Sequence, residues 1–153
     1  MPKIRKYNLT KLLQNTLETY YWVGFLFADG WITKRINNYY QLGLELGQKD
    51  KQQLLKFASY INCTKIQSRK PRNVMIRERI IHTNRTNTVT CADTKTILKL
   101  INKFDFKLNK TTHPPNLTHV FKNISNKLIL SFIIGYIDGD GSIRKISTNG
   151  YHI

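Results

Sequence analysis

Asp29 and Asp140 stand in matching settings at opposite ends of the chain, inside "YWVGFLFADGWI" and "SFIIGYIDGDGSI". Gly24, Ala28, Asp29 and Gly30 of the first stretch align with Gly135, Gly139, Asp140 and Gly141 of the second. Two small residues four apart share one side of a helix and let another backbone approach closely. Each aspartate then falls in the last helical turn, with a glycine at the usual left-handed stop. A carboxylate there faces the negative end of the helix dipole, at a cost on the order of 0.3–1 kcal/mol. If the two helices pair through Gly24, Ala28, Gly135 and Gly139, the two carboxylates also converge and repel. A divalent cation relieves both penalties, and an all-oxygen site completed by water and phosphate suits Mg²⁺. Taken singly, an Asp-Gly pair is an ordinary turn or cap. Its repetition behind a notched apolar helix favours the metal-site reading.

The elements that must position these groups follow from hydrophobic period. Residues 9–28 carry Leu12, Leu13, Leu17, Tyr20, Tyr21 and Phe25 at helical spacing and predict one helix. Trp31 and Ile32 open a strand, Asn37-Asn38 signals a turn, and Tyr40 to Gly47 alternates, with Leu42, Leu44 and Leu46 on one face and Gln41, Gly43 and Glu45 on the other. A second helix carries Leu54, Leu55, Phe57, Ala58 and Ile61. Strands are predicted over 64–69, 74–82 and 85–92, with Asn84 as the turn before the last. Asp93 is an N-cap for a third helix bearing Ile97, Leu98, Leu100, Ile101 and Phe104. A loop over 107–117 containing Pro114-Pro115 precedes a helix over 124–138, and a further strand begins at Gly141. Short turns between strand pairs predict an α+β fold with an antiparallel sheet.

The chain has 153 residues and a net charge of +16, from 25 Lys and Arg against 9 acidic residues. Basic residues spread from Lys3 to Lys145 point to a polyanionic partner, nucleic acid first. An anionic membrane surface is the rival, but no long basic amphipathic helix supports it. No run reaches the roughly 20 apolar residues that cross a bilayer, and the N-terminus shows no secretory apolar region; the expectation is a soluble, unsecreted protein. Cys63 and Cys91 lack disulfide or metal spacing and read as small buried residues. His82, His113, His119 and His152 have no nuclease-like spacing, and no glycine-rich phosphate loop precedes a helix. Phe, Tyr, Met, Ile, Asn and Lys total 66 residues, against 23 for Gly, Ala, Arg and Pro. An AT-rich gene gives such a bias, which points to an organelle, mitochondrion or chloroplast.

"WVGFLFADG" and "IIGYIDGDG" resemble the two signature helices of LAGLIDADG homing endonucleases and intron maturases. The second is close to the family pattern; the first departs from it at Phe27, where an acidic residue is frequent, and at Trp22-Val23. The resemblance implies one complete αββαββα half over residues 9–122, with its signature helix at 12–29 and a four-stranded antiparallel sheet. Residues 123–153 would then hold the second signature helix and the first strand of an incomplete second half. It assigns the catalytic metal ligands to Asp29 and Asp140 and leaves Asp138 structural. "LGLELGQKDKQQLL" resembles the family's second strand and middle helix and suggests Gln48 for the active-site water network. "FKLNKTTHPPNL" suggests Lys110, with Lys107 as runner-up, as a lysine stabilising charge on the phosphoryl group.

The resemblance also implies that the open sheet face reads base edges. Its candidates are Gln41, Glu45, Gln67, Arg69, Arg72, Arg77, Arg79 and Arg85, with Lys34 and Arg35; alternation places Gln67 with Arg69 and Arg77 with Arg79 on that face. Lys65, Lys70 and Lys122 join Lys34 as phosphate contacts. The expected partner is duplex DNA first and structured RNA second, and a second chain completing the missing half is possible. Three activities fit: Mg²⁺-dependent site-specific double-strand cleavage, intron RNA binding, or a structural role within a ribonucleoprotein. No small-molecule cofactor is implied.

Overall fold

A computed structural model of the chain describes residues 7–108 and 113–140. The predicted opening helix is two elements. A 3-10 turn, Leu9–Leu13, is capped by Asn8, and helix α1, Leu17–Asp29, begins afresh behind Thr16. Both caps are extended residues whose side chains accept backbone N–H groups, Asn8 from Thr10 and Thr16 from Thr19. These local bonds compete with a continuous helical ladder and split it. The link is held from α3, where the Lys103 ammonium donates to the Leu13 carbonyl at 2.6 Å and to Asn15 at 2.8 Å.

α1 runs straight into strand β1, Gly30–Arg35. Gly30 is therefore extended (φ −75°, ψ 166°), not the left-handed stop expected from the sequence. It is needed for close approach, since an added Cβ would lie 2.7 Å from the Leu26 side chain and its carbonyl oxygen. The Asn-Asn turn forms as predicted, with Asn37 and Asn38 both at positive φ. β2, Tyr39–Gly47, follows, then α2, Lys51–Tyr60, and β3, Gln67–Arg69.

The predicted strand over 74–82 is instead a hairpin. β4, Arg72–Ile76, and β5, Arg79–Thr83, are antiparallel about a turn at Arg77-Glu78, where φ is 46° and 64°. β6, Thr86–Cys91, then completes a four-stranded antiparallel sheet of order β1-β2-β6-β3, and β4-β5 forms a separate two-stranded sheet. α3, Thr94–Phe104, starts at Asp93, whose carboxylate accepts from the Thr96 N–H as expected. Where the expected 107–117 loop ends, a short helix that the sequence did not announce, α4, Leu117–Phe121, precedes α5, which spans Asn126–Asp140.

The fold is thus α+β. Ile32, Leu42, Leu44, Leu46, Val89 and Cys91 are buried on one sheet face under α1, α2 and α3. Cys63 and Cys91 are buried free thiols. The strand expected from Gly141 lies outside the described residues, as does Lys110.

Candidate functional site

The helix pair carries the geometry on which Asp29 and Asp140 depend. Among the described residues, α1 and α5 form the most extensive contact between elements. A Cβ built on Gly24 would run into the Phe132 carbonyl oxygen, and one on Gly135 into that of Tyr21. The two contacts are reciprocal, because Tyr21 stands three residues before Gly24 as Phe132 does before Gly135. A built Gly139 Cβ would be 2.7 Å from the Ala28 Cβ. All four small residues singled out in the sequence therefore lie in one backbone-to-backbone seam. Tyr21 meets Gly135 and Ala28 meets Gly139, so the helices run parallel and end on the same side. Asp29 and Asp140 are the final residues of these two helices, and both are exposed.

The seam is also tied by polar groups. Ser131 Oγ donates to the Leu17 carbonyl at 2.6 Å. The Tyr21 hydroxyl donates to Asp138 Oδ2 at 2.8 Å and accepts from Gln53 of α2. Burial first, then the hydrogen bond and negative charge of Asp138, push the Tyr21 phenol up to about 12. Asp138 is thus engaged across the interface. Phe27, its counterpart in α1, packs on Phe106 and Phe132 with ring centroids at 4.4 and 5.1 Å. The position where the first stretch departs from the repeated pattern has become core.

At the carboxylate end lies a cavity of about 290 Å³, lined by Phe25, Asp29, Leu46, Lys49, Asp50, Gln53, Asp138 and Gly139. Asp29 and Asp138 are the helix-end carboxylates in its wall; Asp140 is not among the lining residues. Lys49, Asp50 and Gln53 were not singled out in the sequence. They were detectable by topology: Gly30 pairs with Leu44, so the end of β2 and the start of α2 must fall beside the end of α1. Gln48 precedes them, exposed, its side-chain oxygen accepting from Asn87 Nδ2 at 2.8 Å. Lys107 pairs instead with Asp105 at 2.6 Å, which with the Asn116 N–H holds that carboxyl below its ordinary range. Among the described residues no three His, Cys, Asp or Glu side chains converge as a metal-binding group.

The sheet face away from the helices is polar. The Arg35 guanidinium donates to Gln41 at 3.0 Å, and Glu45 accepts from Arg69 at 3.3 Å and from Thr86 at 2.6 Å. Gly43, expected in water, is buried because the Trp31 ring lies over it. Gln67 and Arg69 share this face through their pairing with Thr88 and Thr86. Arg77 and Arg79 do not join them as a strand pair. Arg77 occupies the turn, and Arg79 pairs with Ile76, placing it with Arg72, Val74 and Ile81 on the opposite face of the hairpin. The cause is the two-residue turn, which reverses the chain where the sequence reading carried the strand on. Arg85 lies between β5 and β6, and its carbonyl accepts from the Gln48 N–H. Lys34, Lys65, Lys70 and Lys122 are all exposed. No helix of the described residues is long and apolar enough to cross a membrane.

In comparisons with known proteins, no protein-family model matches the chain, and no curated protein matches it significantly.

Proposed function

We propose that the chain is a nucleic-acid-binding module of the LAGLIDADG homing endonuclease type. The observation that carries this reading is the reciprocal glycine seam between parallel α1 and α5, which ends with Asp29 and Asp140 on the same side of the molecule. Two exposed carboxylates fit a hard cation that fills its remaining positions with water and phosphate oxygens. Asp138 accepts from the Tyr21 hydroxyl across the seam, and the helix-terminal Asp29 and Asp140 are the carboxylates assigned to Mg²⁺. When bound, the cation would activate water and neutralise charge on the scissile phosphate.

The chain's own residues bind and orient. The polar outer face, with Gln41, Gln67 and Arg69, offers groups suited to bidentate base contacts. Exposed Lys34, Lys65, Lys70 and Lys122 supply salt-sensitive phosphate contacts. One sheet provides half of a two-sided footprint, so cleavage of both strands calls for a second unit of the same design. The composition fits an organellar gene.

Incubation with a library of duplexes at low salt, with Mg²⁺ and separately with Ca²⁺, tests the reading. Site-specific cutting with Mg²⁺ in the presence of a second unit is expected. Asp29→Asn and Asp140→Asn should each abolish cutting and spare binding. Tight binding of structured RNA with no cut duplex under any condition would favour the alternative, an intron maturase or a ribonucleoprotein component. Equal cutting by both variants would remove the metal assignment.

A further inference from the structure

Trp31 belongs neither to the helix seam nor to the core. It pairs with Gly43 across β1 and β2, and because its neighbour Ile32 is buried under the helices, alternation turns Trp31 to the outer face of the sheet. A Cβ built on Gly43 would run into Cζ2 and Cε2 of the indole and lie 2.7 Å from Cη2. These are three consecutive atoms of the six-membered ring, met together, which places the point over the ring plane and not at its rim. A strand Cβ stands roughly perpendicular to the sheet. The indole therefore lies flat on the sheet, with one face against the Gly43 backbone and the other turned outward. Its half-buried state fits one covered face.

Among the described residues, no other ring stacks on that outer face and no cation lies over it. The other tryptophan, Trp22, is buried among Tyr21, Phe25, Phe57 and Tyr60. The rim of the Trp31 ring is polar. The register places Thr33 beside it on β1, Gln41 on β2 and Thr90 on β6. Gln41 accepts from Arg35 through its carbonyl oxygen, and among the described residues its amide nitrogen donates to no acceptor. A flat aromatic face rimmed by hydrogen-bonding groups, on a chain of net charge +16, suits a ligand that is planar, polar at its edges and carried on an anionic backbone. A nucleobase meets that description when it is unpaired, because a base inside a duplex is already stacked on both sides. A packing role alone, shielding the strand pair at Gly43, uses only the inner face of the ring.

We infer that the outer face of the Trp31 indole is a stacking platform for an unpaired nucleobase of a single-stranded segment, with the Gln41 amide nitrogen donating to the edge of that base. The inference rests on the nucleic-acid reading above and goes beyond it, by giving the sheet a ligand that a closed duplex does not present.

The full chain is titrated at low salt with three probes: an oligouridine RNA strand, an oligothymidine DNA strand and a DNA duplex of the same length. Tryptophan emission reports the site, because Trp22 is buried and Trp31 is the one accessible indole. Single strands are expected to quench it and the duplex to leave it unchanged. Quenching by either strand supports the platform, and the stronger of the two names the polymer. Strands carrying 5-bromouracil should crosslink on irradiation to the peptide that contains Trp31. Trp31→Leu keeps an apolar cover over Gly43 but has no aromatic face. It should bind single strands about tenfold more weakly, with duplex affinity and the circular dichroism spectrum unchanged, and Trp31→Phe should recover most of the loss. Single-strand affinity that is the same in Trp31→Leu as in the unaltered chain would overturn the platform while leaving nucleic-acid binding standing. An equal loss for strands and duplex, accompanied by a lower unfolding midpoint, would show a packing role and overturn it too. Binding of none of the three probes would overturn both readings.

Discussion

Gly24 and Gly135 have no stand-in, because each backbone occupies the space of the other's missing side chain. At both positions the obstructing atom is a main-chain carbonyl, which cannot rotate away as a side-chain tip can. Gly135→Ala must therefore push α5 from α1 along the seam, and overpacking of this kind costs about 1–3 kcal/mol. Gly47→Ala is the control, since nothing lies within 4 Å of a Cβ built there and its φ is −61°. Denaturant unfolding should show the loss for Gly135→Ala and a near-neutral effect for Gly47→Ala. Equal stability of both variants would mean that the seam is looser than described. The same scale shows what was legible from residue types. Two small residues four apart, repeated, announced the seam. The partners of Asp138 did not announce themselves, because Tyr21 and Gln53 reach it from other elements and only the fold brings them together.

Element boundaries were readable where a residue had a distinctive local chemistry. Asn37-Asn38 and Asp93 marked a turn and a cap that the structure contains. The hairpin at Arg77-Glu78 was missed because neither residue carries the usual turn signature, and the flanking Val74, Met75, Ile76, Ile80 and Ile81 read as one continuous strand. Two consecutive positive φ values are the mirror-image turn favoured by hairpin twist. For side chains other than glycine, asparagine or aspartate they cost roughly 1–2 kcal/mol per residue. Replacing Arg77-Glu78 with Asn-Gly removes that strain and should stabilise the hairpin by about 1 kcal/mol or more. Hydrogen exchange should report it as slower exchange at the amides paired between β4 and β5, with the β1-β2-β6-β3 sheet unchanged. Faster exchange across the hairpin would instead show that Arg77 or Glu78 makes a stabilising contact. The split of the opening helix has the same origin: apolar spacing over 9–28 is continuous, while Thr16 and Asn8 draw the backbone donors into caps.

At the scale of the whole molecule, the repeat leaves an imbalance. Trp22, Val23, Phe25 and Leu26 of α1 are buried against the sheet and its helices, at 0–3% exposure. Their counterparts in α5 are Ile133, Ile134, Tyr136 and Ile137, which are 40–46% exposed among the described residues. Leu130 extends the same apolar surface. Such a face favours association with a second copy, but a net charge of +16 per chain opposes it. Salt decides between the two, because it screens the repulsion and leaves apolar burial intact. Sedimentation velocity should therefore show self-association that strengthens from low to moderate salt. Nucleic-acid affinity should move the other way, as released counterions weaken phosphate contacts. An Ile133→Lys, Ile137→Lys variant should remain folded, stay monomeric at all salt concentrations and keep its salt-dependent binding to short duplexes. Association that weakens as salt rises would show charge pairing, and not the α5 face, to be what joins the copies.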